Sequence, residues 1–282
     1  MPWPIAVDCP IVAIPDLHGQ RASPGRLLAR LGRLPEWARC AVVFLGDFVD
    51  RGPDVRGAIE RVLDLGARHA VVAAVMGNHD LALVRAARLD GGAPSAYWLD
   101  GYRLRYDHIP TFESYLGRPP RYEGWEGELE ALREAIPAAH RYFLSGLPWV
   151  VEAPGHVFLH NGLSPELEQS AEEQLGALRR RRWDGSLTPR PGTRTAELWQ
   201  EHYPVWLGAD KRLSARPLAA PGRVQVTGHV QVAAPEVDAV RIRLDTSGGY
   251  DGPLTACLLR SAESEPVFVA GTGEGAPIAM GE

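Results

Sequence analysis

Residues 11–20 read IVAIPDLHGQ: four apolar residues, a proline, then an aspartate and a histidine two positions apart, then a glycine. A short continuous apolar run bounded by turn residues reads as a strand buried on both faces. Pro15 fits that reading. It biases Ile14 toward extended backbone and fixes its own φ. It also has no N–H to donate and lacks the freedom of a glycine. Asp16 and His18, both with metal-capable side chains, follow the strand end directly.

Two further runs repeat the arrangement. CAVVFL (40–45) ends at Gly46-Asp47, and AVVAAVM (70–76) ends at Gly77-Asn78-His79-Asp80. Thirty-one positions separate Asp16 from Asp47, and thirty-one separate Asp47 from Asn78. That is the length of a strand, a connecting helix and the next strand. SPGRLLARLGRLPEWA (23–38) and PDVRGAIERVLDLGA (53–67) lie between the runs, with apolar residues at helical spacing. The alternation predicts βαβ units with buried parallel strands.

From about residue 90 the pattern changes to Gly-, Pro- and aromatic-rich sequence. It is followed by GELEALREAIPAAHRYFLSGL (127–147), which reads as helix with Pro137 opening a new one. Residues 90–147 are therefore expected to form a helical insertion over one rim of the sheet. Strand signals return at WVVEA (149–153) and HVFLHNG (156–162), whose alternation suggests antiparallel pairing, and again at 223–232, 239–248 and 254–260. From about residue 262 a short strand and a loose tail are expected. No linker interrupts the chain, so residues 1–282 read as one domain of α/β class. Its architecture is α+β in four layers, with central mixed β-sheets forming a sandwich flanked by helices.

Composition sets outer bounds. The 282 residues carry a formal net charge of −5, which argues against nucleic acid as the main partner. Lys211 is the sole lysine, a skew that fits genome composition as well as phosphate recognition. Cys9, Cys40 and Cys257 are few and far apart, unlike a disulfide framework or a cysteine metal site. The N-terminus lacks the charged and apolar regions of a signal peptide. No apolar run approaches the roughly 20 residues that span a bilayer. A reduced, cytoplasmic setting without a membrane partner is the expectation.

The residues after the strand ends form a set: Asp16 and His18; Asp47, Asp50 and Arg51; Asn78 and His79; His160; His229. Ligands of open α/β sheets bind beyond the carboxyl ends of the strands. Carboxylates, imidazoles and an amide oxygen suit manganese, iron or zinc better than copper(I) or iron–sulfur. Each residue also has a plainer reading. Asp50, Asn78 and Asp80 could cap helices, and His160 and His229 could be hydrogen-bonded structural histidines. Five such groups behind five apolar runs, in order, make coincidence a poor account.

The set PDLHG, GDFVDRG, GNHD, HNG and GHV resembles the calcineurin-like metallophosphoesterases, and within them the phosphoprotein phosphatases, whose pattern is GDxHG, GDxVDRG, GNHE, HAG and GH. The DRG after the second block points to that family. PTFESYLG, IPAAHRYFLSGLPWVVE and LDTSGGYDGPLTACLL resemble its bacterial branch of Ser/Thr phosphatases and diadenosine tetraphosphatases. The resemblance covers about residues 10–260.

It implies two divalent or trivalent metal ions, manganese first, with iron or zinc as alternatives. Asp16, His18 and Asp47 would hold one ion. Asp47, Asn78, His160 and His229 would hold the other, with Asp47 bridging. The ions would generate a hydroxide that attacks phosphorus in line. His79 would protonate the leaving oxygen, Asp50 would fix its tautomer and raise its pKa, and Arg51 would clamp phosphoryl oxygens. A second clamping arginine is expected among Arg182, Arg194 and Arg212. The departures are Pro15 for glycine, Asn161 for alanine and Asp80 for glutamate.

The function implied first is a Ser/Thr protein phosphatase-like phosphomonoesterase acting on a phosphoprotein or a small phosphoester. The alternative is a bis(5'-nucleosyl)-tetraphosphatase or other nucleotide hydrolase, for which Trp98, Tyr102, Trp183 and Trp199 could supply a base-stacking wall. A non-catalytic binding module on the same fold is the third reading.

Overall fold

The computed structural model describes residues 9–197, 202–208, 216–250, 252–271 and 278–279. The first half runs β1 (Ile11–Ile14), α1 (Ser23–Leu31), β2 (Ala41–Phe44), α2 (Val55–Arg68), β3 (Val72–Ala74) and α3 (Asn78–Ala86). The helices α4 (Ala96–Arg105), α5 (Ile109–Leu116), α6 (Trp125–Ala135) and α7 (Ala138–Gly146) follow. Then come β4 (Val151–Ala153), β5 (His156–Phe158), α8 (Ala171–Arg179), α9 (Arg194–Glu197), β6 (Val224–Thr227), β7 (Glu236–Val237), β8 (Arg241–Arg243), β9 (Thr255–Leu259), β10 (Val267–Ala270) and β11 (Ile278–Ala279).

The strands form two mixed sheets, ordered β11-β10-β9-β1-β2-β3 and β4-β5-β6-β8-β7. The strands β1, β2 and β3 are parallel, as the two crossover helices require. β5, β6 and β8 are parallel in the second sheet, while β4 pairs antiparallel with β5.

Strand alternation divides the core in two. Ile11, Ala13, Ala41 and Val43 face the second sheet and pack with Val151, Phe158, Val226 and Ile242. Val12, Ile14, Val42 and Phe44 point the other way, into a larger core with Leu27, Leu31, Ile59 and Val62 of the helices. A strand with apolar partners on both faces must be a continuous apolar run, which is what residues 11–14 and 41–44 are.

Local chemistry sets the helix ends. α1 stops at Leu31, short of the 23–38 stretch that periodicity suggested. Gly32 is a poor helix former, and a proline at 35 clashes with the carbonyl four residues back. The chain instead turns and makes a short 3-10 turn at Trp37–Arg39. The carboxylate of Asp54 accepts the Gly57 N–H at 3.2 Å and so caps α2. Pro137 precedes α7 directly, where its missing N–H interrupts nothing. The segment beyond Ser261 supplies two strands, β10 and β11, where one was expected; β10 extends the first sheet beside β9. Among the described residues no helix is long and apolar enough to cross a membrane.

Phe158 is fully buried between the sheets. Phe158→Ala is expected to lower unfolding free energy by about 3–5 kcal/mol, measured by urea denaturation. A loss below about 1 kcal/mol would show that the two sheets do not share this core.

Candidate functional site

The parallel strands of both sheets deliver their carboxyl ends to one place. β1 leads to Asp16 and His18, β2 to Asp47, β3 to Asn78 and His79, β5 to His160, and β6 to His229. The loops are joined by main-chain bonds. Leu17 and His18 donate their N–H groups to the carbonyl of Asp47 at 3.1 and 2.8 Å, and Gly52 donates to the carbonyl of His18 at 2.7 Å. Register between β1 and β2 ends at Ile14 opposite Phe44, so Pro15 leaves no ladder bond unmade. Glycine is required where the second and third loops touch. A Cβ on Gly77 would run into the Asp47 carboxylate, and one on Gly46, at φ +98°, would meet the Gly77 backbone at 2.6 Å.

Asp47 is the hub. Its Oδ2 lies 3.3 Å from His18 Nε2 and 3.4 Å from His160 Nε2, and its Oδ1 accepts the His79 N–H at 2.9 Å. His160 Nε2 also faces Asn78 Oδ1 at 3.0 Å. The backs of both imidazoles are fixed: His18 Nδ1 donates to the Val49 carbonyl at 2.8 Å, and His160 Nδ1 to the Leu45 carbonyl at 2.7 Å. A carbonyl can only accept, so each Nδ1 carries a proton and each ring turns Nε2 toward Asp47, as a lone pair once a metal ion displaces the second proton that the carboxylates otherwise favour. His18 Nε2 is buried with no hydrogen-bond partner. Lone pairs converging in a dry site repel unless a cation sits among them. Imidazoles oriented through Nδ1–H to carbonyls are the form that binds metals. The donor set fits divalent ions.

Two groups of ligand atoms, each within 4.8 Å, meet at Asp47: His18, Asp47 and His79, and Asp47, His160 and His229. The first contains His79 and leaves out Asp16, the reverse of the pattern expected. Asp16 is instead turned to the β6 loop, where both its oxygens accept the His229 N–H at 3.1 Å. Its Oδ1 lies 4.0 Å from His160 Nδ1.

His79 is held from two sides. Its Nδ1 donates to Asp50 Oδ2 at 2.7 Å, and Arg51 Nη2 donates to its Nε2 at 3.3 Å. The carboxylate of Asp50 also accepts from the hydroxyls of Tyr102, at 2.7 Å, and Thr111, at 2.6 Å. Arg51 Nη1 donates to the Gly248 carbonyl at 2.6 Å, and the guanidinium lies 5.8 Å from the ring centre of Tyr250.

Burial disfavours charge throughout the site. Asp47 nevertheless lies well below the usual carboxylate range, because His160, His79 and His18 outweigh burial. Burial would lower His160, but Asp47 and Asp16 raise it to about 10. Burial and Asp245 push Asp16 up to about 7. Burial and His160 hold His229 well below its ordinary value. His79 also falls below its ordinary value, because burial exceeds the upward pull of Asp47 and Asp50. Asp50 does pull His79 upward, as expected, and desolvation outweighs it and sets the net direction.

Residues 9–233 match the family model described as calcineurin-like phosphoesterase. The chain belongs to that family. A 77-residue stretch is 39% identical to a symmetrical bis(5'-nucleosyl)-tetraphosphatase of Acidovorax sp. (strain JS42). That match spans 27% of this chain and about a quarter (26%) of the relative. The fold is similar to a crystal structure assigned as a candidate diadenosine tetraphosphatase, with TM-score 0.57, 20% identity, and coverage of 96% and 97% of the two chains. It is also similar to the cold-active protein-tyrosine phosphatase of Shewanella sp., at TM-score 0.56, 17% identity and coverage of 99% and 83%. A protein serine/threonine phosphatase of Saccharomyces cerevisiae gives TM-score 0.55, 13% identity and coverage of 96% and 82%.

Within this calcineurin-like frame, other expected residues fall elsewhere. Arg182 pairs with Asp184 and Arg194 with Glu197, both in exposed ion pairs of their own segments. Arg212 and Trp199 lie outside the described residues. Tyr102 holds Asp50 rather than offering a stacking face. Asp50 caps no helix; Asp54 does.

Sequence reasoning gave Asp80 no part in the site beyond a cap. It does accept the N–H of Gly77 at 3.0 Å, as a cap would, but also those of Asp47 and Phe48, each at 2.8 Å. It ties the β2 loop to the start of α3. Tyr102 and Thr111 come from the helical segment, and nothing near them in sequence signals their bond to Asp50.

Asp80→Ala leaves three buried N–H groups without this acceptor, at about 1–3 kcal/mol each. A loss of about 3 kcal/mol or more in urea denaturation is expected. A change below about 1 kcal/mol would mean that Asp80 does not tie these loops.

Proposed function

We propose that the chain is a two-metal phosphoesterase whose preferred reaction is hydrolysis of phosphate monoesters, in the manner of a serine/threonine phosphatase. The observation that carries the proposal is the single carboxylate oxygen of Asp47 facing imidazole nitrogens from both sheets. Asp16, His18 and Asp47 would hold one ion, and Asp47, Asn78, His160 and His229 the other. Manganese is the expected metal, with iron or zinc also suited to the donors. A bound metal pair supplies Lewis acidity, acidifying a water and neutralising phosphoryl charge.

The remaining residues have separate tasks. Arg51 offers a guanidinium fork, and its anchorage on the Gly248 carbonyl limits the entropy lost on gripping a phosphoryl group. A phosphoryl group between Arg51 and the ligands would compete with His79 Nε2 for the guanidinium. With Arg51 turned to the phosphoryl group, His79 Nε2 would be free to take up a proton from solvent and give it to the departing oxygen, while Asp50 keeps Nδ1–H in place. Three acceptor bonds on Asp50 fix the carboxylate that orients this ring. The expected substrate is a phosphoprotein or a small phosphoester, and the expected setting is the cytoplasm.

The second reading is a hydrolase of dinucleoside polyphosphates. It is favoured by the stretch similar to the Acidovorax tetraphosphatase. A panel of phosphopeptides, dinucleoside tetraphosphates and simple monoesters, with manganese added, separates the two by kcat/KM.

Asp47→Asn is expected to abolish p-nitrophenyl phosphate turnover and to lower bound metal from about two ions per chain, measured by elemental analysis. Retained activity would sink the shared-carboxylate assignment. His79→Asn is expected to keep normal metal content while slowing turnover about 10²–10⁴-fold. Esters with poor leaving groups should be slowed most, and equal slowing across leaving groups would remove the general-acid role.

A further inference from the structure

A cavity opens farther along helix α3 from the candidate metal site. Its volume is about 440 Å³, within the range of roughly 300–1,000 Å³ typical of small-ligand sites. Trp98, Trp149 and Trp183 line it together with Arg85, Arg181 and Asp90. Helix α3 joins the two places. It starts with Asn78 and His79, and Arg85 lies seven positions on, about 10 Å along the axis.

The charges in this cavity do not cancel. Arg85 Nη1 is paired with Asp90 at 2.7 Å. Arg181 donates through Nη1 to the neutral carbonyl of Ser145 at 2.8 Å. Burial and the charge of Arg85 press the Arg181 guanidinium below its ordinary value, so the two cations feel each other and an anion between them would relieve both. Arg181 sits at φ +51° in the turn that ends α8, where its N–H and that of Arg182 return to the carbonyls of Leu178 and Ala177, so the side chain leaves from a fixed backbone.

The tryptophans add the second half. Trp149 is 3% exposed, and its indole N–H is buried without a hydrogen-bond partner. Trp98 stacks on Tyr203 with ring centres 5.9 Å apart, and Trp183 meets Trp206 edge-on at 5.1 Å. These contacts hold the rings in fixed positions. Rigid aromatic walls with a surplus of guanidinium charge select a flat ring joined to an anion.

We propose that this cavity is a binding site for a small anion bearing a flat aromatic ring, of the chemistry of a nucleoside 5'-monophosphate, separate from the metal centre. The ring would lie against Trp98 and Trp183, and the anion against Arg181 and Arg85. The site uses none of the residues assigned to the metal centre or to proton transfer; it shares Trp98 and Trp183 with the dinucleoside-polyphosphate reading, from which binding without manganese separates it.

The test is titration calorimetry of the full chain with adenosine 5'-monophosphate, adenosine and inorganic phosphate, with and without manganese. The monophosphate is expected to bind without manganese, at least about tenfold tighter than either part alone. Arg181→Ala and, as a variant that spares the Ser145 contact, Arg85→Met should each weaken it by about tenfold or more. Trp183→Phe should diminish the tryptophan fluorescence change on binding. Turnover of p-nitrophenyl phosphate by Arg85→Met should stay at the parent level. Three results would overturn the proposal: binding that requires manganese, affinity unchanged in folded Arg181→Ala and Arg85→Met proteins, or no binding up to about 1 mM. Absence of p-nitrophenyl phosphate turnover in the parent chain, with manganese-independent binding intact, would count against the phosphoesterase reading and leave this site standing.

Discussion

One carboxylate organises this protein. Asp47 presents Oδ2 to His18 and His160, accepts the His79 N–H at Oδ1, takes two main-chain donors at its carbonyl and gives its own N–H to Asp80. These contacts come from the loops after β1, β3 and β5, so the position of one residue fixes the ends of those strands relative to β2. The arrangement is costly in isolation. His18, Asp47, Asp50, Arg51 and His229 all have positive φ, five of the seven non-glycine residues among those described that do so. Strain concentrated to this degree persists where surrounding bonds over-determine the backbone, and the main-chain ties between the loops supply that constraint.

The site also has a clear division of labour. The side chains nearest the hub are acceptors aimed inward, with their donors turned back to main-chain carbonyls. Farther out, Asp50 is gripped by Tyr102 and Thr111 from α4 and α5, so the helical segment after α3 reaches the chemistry through a single carboxylate. Arg51 is tied on the opposite side to the turn after β8. The centre is therefore built by both sheets and by the helices that cover them.

Much of this was legible in sequence because it is written locally. A buried strand needs an unbroken apolar run, and a polar pair at its end marks the loop, so residues 11–18, 41–51 and 72–79 announced both the fold and most of the candidate ligands. What escaped has a non-local cause. Asp80 looked like a helix cap, and it is one, but two of its three partners lie more than thirty residues away. Tyr102 was read as a stacking ring because nothing around it in sequence hints at Asp50. Arg182 and Arg194 were candidates by type, and each has an acid two or three places on that engages it at the surface. Desolvation of His79 depends on the whole fold, so its direction could not follow from the Asp50 neighbour alone.

The bond from His229 to Asp16 links residues 213 positions apart. Contacts of such separation are formed late, since the chain must close a long loop before the contact repays it. A growing chain displays the β1 and β2 loops early in synthesis, yet it cannot close the pocket until β6 has emerged and docked. Assembly of the centre thus reports completion of the sandwich, and a truncated or stalled chain carries the parts of a reactive site without their juxtaposition.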